Sequence, residues 1–333
     1  MSDIPEAERQ VLITAYELGR RERPATEERL ARMGTAFFEK KLEDWKGAAQ
    51  ALVDRGLLKQ ESEVFTLTAA GWKLAESLDK EMFSGEFAQI LVRSVKSATY
   101  SKFCEIVYGR DLCQYNLSDM AQLDKMLELL ALQPRAEVLD LGCGQGLISE
   151  YISDLTGAKV TGLDYAAAAI ELAREHSAGK RERLEYQVGD IDHLKFAPES
   201  FAAIIAIDTL YFLRDLGQTI ADLRDILKPG GQLGIFYTQT LRPDQPQKLL
   251  EADNTELAAA LRQAGFAYVT YDYSVAERQF WELEQRVSLE LRSEFEAEGN
   301  LDLCESRIEE AERMLKLCKA NRNARYLYHA KME

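Results

Sequence analysis

The stretch Glu137-Val138-Leu139-Asp140-Leu141-Gly142-Cys143-Gly144-Gln145-Gly146-Leu147-Ile148 constrains the fold more tightly than any other part of the chain. Its apolar opening has the length of one buried parallel strand, and glycines at alternate positions make a tight turn into a helix expected from Leu147 to Asp154. Gly142 and Gly144 carry no Cβ, so the main chain there can approach a ligand closely. The spacing discriminates between ligands. A dinucleotide fingerprint needs its third glycine where Leu147 stands, and Asp140 lies two residues before the first. That carboxylate would repel a pyrophosphate, whereas a cationic α-amino group would be favoured beside it, directly or through a water.

Further elements follow in order. Lys159 to Asp164 reads as a second strand ending in an acid, Leu184 to Ile191 as a third, and Phe201 to Asp208 as a fourth running into Thr209-Leu210-Tyr211-Phe212. Leu227-Lys228-Pro229-Gly230-Gly231 turns into a strand from Gln232 to Tyr237. A helix ending at Leu261-Arg262-Gln263-Ala264-Gly265-Phe266 precedes a strand from Ala267 to Tyr273, and the apparent last strand is Ala324 to Ala330. Between those two strands lie about 50 residues of helical character containing Trp281, Glu290, Glu294, Phe295 and Arg307.

This series resembles the class I S-adenosylmethionine-dependent methyltransferases over about 200 residues. The resemblance implies an α/β fold with a seven-stranded Rossmann-like methyltransferase sheet in residues 131–333, with a helical insertion (about 277–322) before the last strand. It implies S-adenosylmethionine as cofactor. Asp164 would hold the ribose hydroxyls, Asp190 the adenine amino group and Ile191 the adenine face. Asp140, Gly142, Cys143, Gly144 and Gly146 would surround the methionyl part, with Tyr165 and Asp208 completing the set. Each of the acids Asp140, Asp164 and Asp190 could instead cap the element that follows it. Tyr211 and Asp208, leaving the fourth strand, are the expected catalytic contacts to the acceptor, and Tyr108, Tyr115 and Trp281 the expected substrate aromatics. His193 reads as an exposed loop histidine. The last two strands of this fold form an antiparallel hairpin, which brings the insertion to the cofactor end as a candidate lid.

Residues 1–80 read as helix (Pro5 to Leu18), short helix (Thr26 to Met33), longer helix (Thr35 to Arg55), two short strands around a polar turn, and a helix from Ala69 to Leu78 behind a Thr68 cap. This order, with ALVDRGLL before the ribbon and FTLTAAGWKLA after it, resembles the winged-helix domains of bacterial transcription regulators. A DNA-binding module should be basic. Here about 13 Lys and Arg face about 15 Asp and Glu, and in the suggested recognition helix Lys40, Lys41 and Lys46 are offset by Glu39, Glu43 and Asp44. Residues 81–130 form a helical connector rich in aromatics, among them Phe83, Phe87, Tyr100, Phe103, Tyr108 and Tyr115, expected to cover the cofactor site.

A formal net charge of −15 argues against broad binding to phosphate backbones or anionic lipid. The N-terminus has no apolar signal region and no stretch suffices to span a bilayer, so a cytoplasmic protein is expected. Five cysteines without a CxxC pair and three dispersed histidines indicate neither a disulfide framework nor a metal site. Two functions are compatible with these features. One is methyl transfer to an O or N nucleophile of a small molecule by in-line displacement, in a homodimer. The other is a winged-helix DNA-binding regulator that senses S-adenosylmethionine, which the absence of basic charge disfavours.

Overall fold

The computed structural model describes residues 4–20, 23–38, 44–242 and 244–332. Its contacts divide the chain into two units, Met1–Glu86 and Phe87–Glu333. The first contains α1 (Glu6–Arg20), β1 (Ala25–Thr26), α2 (Glu27–Phe38), α3 (Trp45–Asp54), β2 (Leu58–Glu61), β3 (Val64–Leu67) and the beginning of α4 (Ala69–Lys96). The strands pair antiparallel in the order β1-β3-β2. Val11, Leu12, Ile13, Leu30, Leu52 and Phe65 form their common core.

The helix expected from Thr35 to Arg55 is interrupted. α2 ends at Phe38, and α3 starts afresh behind Asp44, whose carboxylate accepts from Gly47 N at 2.7 Å, the mark of an N-cap. Gly34 meets the Trp45 ring so closely that a Cβ would stand 1.9 Å from it. Lys40, Lys41, Glu39 and Glu43 of the suggested recognition helix lie outside the described residues. Thr68 does cap the next helix, accepting from Gly71 N at 3.0 Å, but α4 continues far beyond Leu78. The side chains of Phe83 and Phe87 lie outside the described residues.

The second unit continues with α5 (Ala98–Tyr108), α6 (Met120–Leu130), β4 (Glu137–Leu141), α7 (Leu147–Thr156), β5 (Lys159–Asp164), α8 (Ala167–His176), β6 (Leu184–Val188) and β7 (Phe201–Ile207). Then come α9 (Leu216–Ile226), β8 (Leu227–Thr240), α10 (Glu256–Gln263), β9 (Phe266–Asp272), α11 (Ser274–Ala297), α12 (Leu301–Lys319) and β10 (Asn323–Met332). One seven-stranded sheet runs β6-β5-β4-β7-β8-β10-β9, with β10 antiparallel to both neighbours. Side-chain alternation explains the layers. Leu139, Leu141, Ile204 and Ala206 face Ile220, Leu223, Leu257 and Leu261 of α9 and α10. Val138, Ile205 and Ile207 face Leu123, Met126 and Leu130 of α6, Ile152 of α7 and Ile170 of α8. A sheet covered on both faces requires such unbroken apolar strands.

The expected insertion is a helical hairpin, α11 and α12, docked on α5. Phe280, Trp281, Leu291 and Phe295 pack with Tyr100, Phe103 and Tyr108. Glu298 accepts from Thr99 N at 2.9 Å and from the Ser97 and Thr99 hydroxyls at the start of α5, and Arg93 pairs with Asp302 at 2.6 Å. Among the described residues no helix is long and apolar enough to cross a membrane.

Candidate active site

The glycine loop after β4 is shaped by three left-handed residues, Gly142 (φ 70°), Gly144 (φ 53°) and Gly146 (φ 78°). Side chains would collide at two of them. A Cβ at Gly142 would meet Thr209 Oγ1 at 2.4 Å and one at Gly146 the Tyr186 ring at 2.6 Å, whereas at Gly144 the nearest atom is Leu91 Cδ1 at 3.9 Å. The loop is therefore packed from below and open at Gly144. Tyr186, which sequence reasoning missed, supports it by donating its hydroxyl to Gly146 O at 2.9 Å. Cys143 Sγ stands 2.7 Å from where a Cβ of Gly162 would be, so Gly162 makes room for it; burial raises the pKa of that thiol well above the ordinary value.

Asp140 and Asp164 both stand beneath this loop. Asp140 is buried and takes the hydroxyl of Ser149 on α7. Asp164, at the end of β5, accepts from Gly144 N at 2.9 Å through Oδ2 and from Ala166 N at 2.9 Å through Oδ1. Burial raises its pKa, and the backbone donors Ala166, Gly144 and Tyr165 oppose that rise. Asp190 caps the short turn Ile191–His193, accepting from Asp192 N at 3.1 Å, and its other oxygen lies 3.1 Å from His193 Nδ1. Ile191 is buried beside it, and Tyr165 is half-buried after β5.

Asp208 leaves β7 in a left-handed conformation (φ 54°). Its carboxylate is fully engaged: Arg325 of β10 grips both oxygens, with Nη2 at 2.9 Å from Oδ2, and Leu117 N donates at 2.9 Å. Arg325 also reaches Ser118 Oγ at 2.9 Å. The segment 111–118 is thus a strap across the carboxyl ends of the strands, tied at its other end where Gln145 Nε2 donates to Cys113 O at 2.6 Å. Arg325 was invisible as a site residue in sequence, standing between Ala324 and Tyr326 in a strand that also carries Asn323, His329 and Lys331.

Tyr211 lies in the turn Leu210–Phe212 and is 41% exposed. Desolvation nevertheless pushes its hydroxyl pKa well above the ordinary range, with Asp208 adding and Arg325 opposing. Tyr115 is half-buried and stacks under Arg307, whose Cζ is 3.6 Å from its ring centre. Tyr108 and Trp281, two of the expected substrate aromatics, are interior side chains at 1% and 2% exposure. The Tyr108 hydroxyl donates to Asn116 O and Trp281 Nε1 to Glu277 Oε1, so both are satisfied within the fold. A shallow depression lined by Asp124, Leu127, Gln133, Leu155 and Thr156 opens at the opposite end of the sheet.

Three buried carboxyls have unusual acidities. Asp140, Glu277 and Glu284 are each pushed up to about 7, burial being the largest cause in every case. A carboxyl whose folded pKa lies above its unfolded value of about 4 binds more protons in the native state between the two, so the unfolding free energy falls as pH rises through that window. His329, held below its ordinary value by burial, acts in the opposite sense, but it is one group against three. The ligand-free protein is expected to melt at lower temperature at about pH 8 than at about pH 6. Scanning calorimetry over this range checks it, and a melting temperature that rises with pH contradicts it.

Residues 138–231 match the family model of a methyltransferase domain. The chain is 32% identical over 114 residues to the methyltransferase GfsG of Streptomyces halstedii, covering 34% of this chain and 41% of that protein. It is 38% identical over 113 residues to a ubiquinone biosynthesis O-methyltransferase of Xanthomonas campestris pv. campestris, covering 34% and 46%. Among solved structures it resembles phosphoethanolamine N-methyltransferase 2 of Haemonchus contortus, bound to phosphomonomethylethanolamine and S-adenosylhomocysteine, with a TM-score of 0.60, 18% identity, and coverage of 74% of this chain and 60% of that one. The chain spans less than half the length of these two curated relatives. The sheet built around residues 138–231 is the seven-stranded Rossmann-like fold of class I methyltransferases.

Proposed function

We propose that this chain is an S-adenosylmethionine-dependent methyltransferase acting on a small-molecule acceptor. The observation that carries the reading is the coupling of the glycine loop to Asp164, whose carboxylate holds Gly144 N while standing at the end of β5. The residues present fit the cofactor. Gly144 leaves room above the loop, and the acids Asp140 and Asp164 beneath it suit a cationic amino acid and ribose hydroxyls better than a pyrophosphate. Loop residues 142–146 with Asp140 would hold the methionyl part, Asp164 and Tyr165 the ribose side, and Asp190 and Ile191 the adenine. Bound there, the cofactor supplies a methyl group on a sulfonium. The chain's contribution is to orient an acceptor in line with it and to exclude water. Tyr211 is our preferred acceptor contact. Asp208, already neutralised by Arg325, serves to position the strap.

We read the N-terminal unit as a winged-helix-like module that pairs protomers in a homodimer. Its element order supports the likeness, and its acidic charge balance speaks against the regulator reading.

Calorimetry with S-adenosylmethionine, S-adenosylhomocysteine and NAD tests the central claim. Both sulfur ligands are expected to bind at least about tenfold more tightly than NAD, since a pyrophosphate would meet two buried acids. Preferential binding of NAD would overturn the proposed function.

A further inference from the structure

Gln145 stands between Gly144 and Gly146 in the glycine loop, and its buried side chain leaves the loop for the strap, where Nε2 donates to Cys113 O at 2.6 Å. Cys113 is left-handed (φ 47°), a conformation that costs a non-glycine residue energy and persists where neighbours enforce it. They do so here. Cys113 N donates to Asp111 Oδ1 at 2.9 Å, and Leu112 N to Gln114 Oε1 at 2.9 Å. The turn is thus fixed with the Cys113 carbonyl presented to Gln145.

This bond joins two halves of the site. The loop would hold the methionyl part of the cofactor. The strap runs from there to Asp208, which binds Leu117 N, and carries Tyr115 between the two ends. Tyr115 packs against Ala88, Leu91, Ala166 and Ala169. A Leu91 methyl is the nearest neighbour of the open side of Gly144, and Ala166 N holds Asp164. The strap therefore borders the cofactor site on the glycine-loop side and on the Asp164 side. Its junction with the loop is incompletely satisfied: among the described residues, Gln145 Oε1 and Gln114 Nε2 are buried without a partner. Unpaired buried groups of this kind favour an arrangement in which water reaches them. A ligand lying against both segments shifts such a junction toward the closed form, because that form alone makes both sets of contacts.

We propose that Gln145 is a positioning residue that couples the cofactor to the strap: a cofactor seated against the loop draws the strap down through the bond to Cys113 O, and the closed strap slows the cofactor's escape. The proposal rests on the methyltransferase reading above and gives Gln145 no contact with the reacting atoms. It makes the loop and the strap one unit, so that the cofactor held by the first and Tyr115 carried by the second keep a fixed spacing.

The test is amide hydrogen exchange on the full chain with and without S-adenosylhomocysteine, together with the dissociation rate of that ligand. In the unmodified chain the ligand is expected to protect the strap, residues 111–118, as well as the loop. Gln145→Met, similar in length but without a donor, should release S-adenosylhomocysteine about five- to tenfold faster, the worth of one such hydrogen bond. Its association rate should stay within about twofold, and the ligand should still protect the loop but no longer the strap. A lower melting temperature with an unchanged dissociation rate would mark Gln145 as merely structural and overturn the coupling. Absence of ligand-dependent protection in the strap of the unmodified chain overturns it too, whatever the variant does, and leaves the methyltransferase reading standing. Failure of the unmodified chain to bind S-adenosylhomocysteine removes both.

Discussion

Replacing Arg325 by Met is expected to lower the unfolding free energy by about 3–5 kcal/mol, the usual cost of removing one member of a buried ion pair. The guanidinium is fully buried, holds both Asp208 oxygens, reaches Ser118 Oγ at 2.9 Å and Thr238 Oγ1 at 3.3 Å, and lies 5.0 Å from the Phe236 ring centre. Its loss leaves the Asp208 carboxylate buried with Leu117 N as its remaining donor among these contacts. Native stability is about 5–15 kcal/mol for a typical domain, so about a fifth of it or more is at stake. Exchanging both partners for apolar residues, Asp208→Leu with Arg325→Met, should cost less than the single change, because no charge is then stranded. Urea denaturation of the unmodified chain and the two variants measures both effects. A loss below about 1 kcal/mol in Arg325→Met would mean that the pair is solvated in solution.

Asp164→Ala is expected to weaken binding of S-adenosylmethionine at least tenfold, since charge-assisted hydrogen bonds to ribose hydroxyls are worth about 1.5–3 kcal/mol each. An acid at a strand end would ordinarily be removable at little cost to the empty protein. Asp164 is different because it is buried and holds Gly144 N and Ala166 N. Leaving either donor unpaired costs about 1–3 kcal/mol, so ligand-free stability should also fall. Titration calorimetry and denaturation separate the two effects. Unchanged affinity would show that the ribose is held elsewhere.

The part of the fold that was legible in the sequence is the part governed by local rules. Apolar runs bounded by glycine or aspartate delivered β4, β5 and β7 with small shifts of their ends, and the insertion before the last strand is present as α11 and α12; β8 was read too short, since it runs from Leu227 to Thr240 through the residues expected to form its leading turn. What escaped depended on tertiary neighbours. Arg325 alternates with apolar residues like any strand position, and only the fold brings Asp208 against it. Glu277 and Glu284 lie on a charge-rich helix that reads as solvated, yet they face inward seven residues apart on one side of α11. Tyr108 and Trp281 drew notice as large aromatics near the site, but their packing with Phe280 makes them interior. The break between α2 and α3 was lost because an aspartate inside a helical pattern was not read as a cap.

The antiparallel β10 also governs how the chain assembles. Among the described residues β9 is an edge strand whose neighbour in the sheet is β10, and β8 meets β10 from Gln232 to Thr240. A nascent chain released as far as α12 therefore carries two unpaired strand edges, each a template for pairing with another molecule. Residues 323–332 close both at once and deliver Arg325 to Asp208 in the same event. The last strand of this sheet in chain order is thus a zipper for it, and interruption of synthesis just before it should yield an aggregating species, not a smaller folded protein.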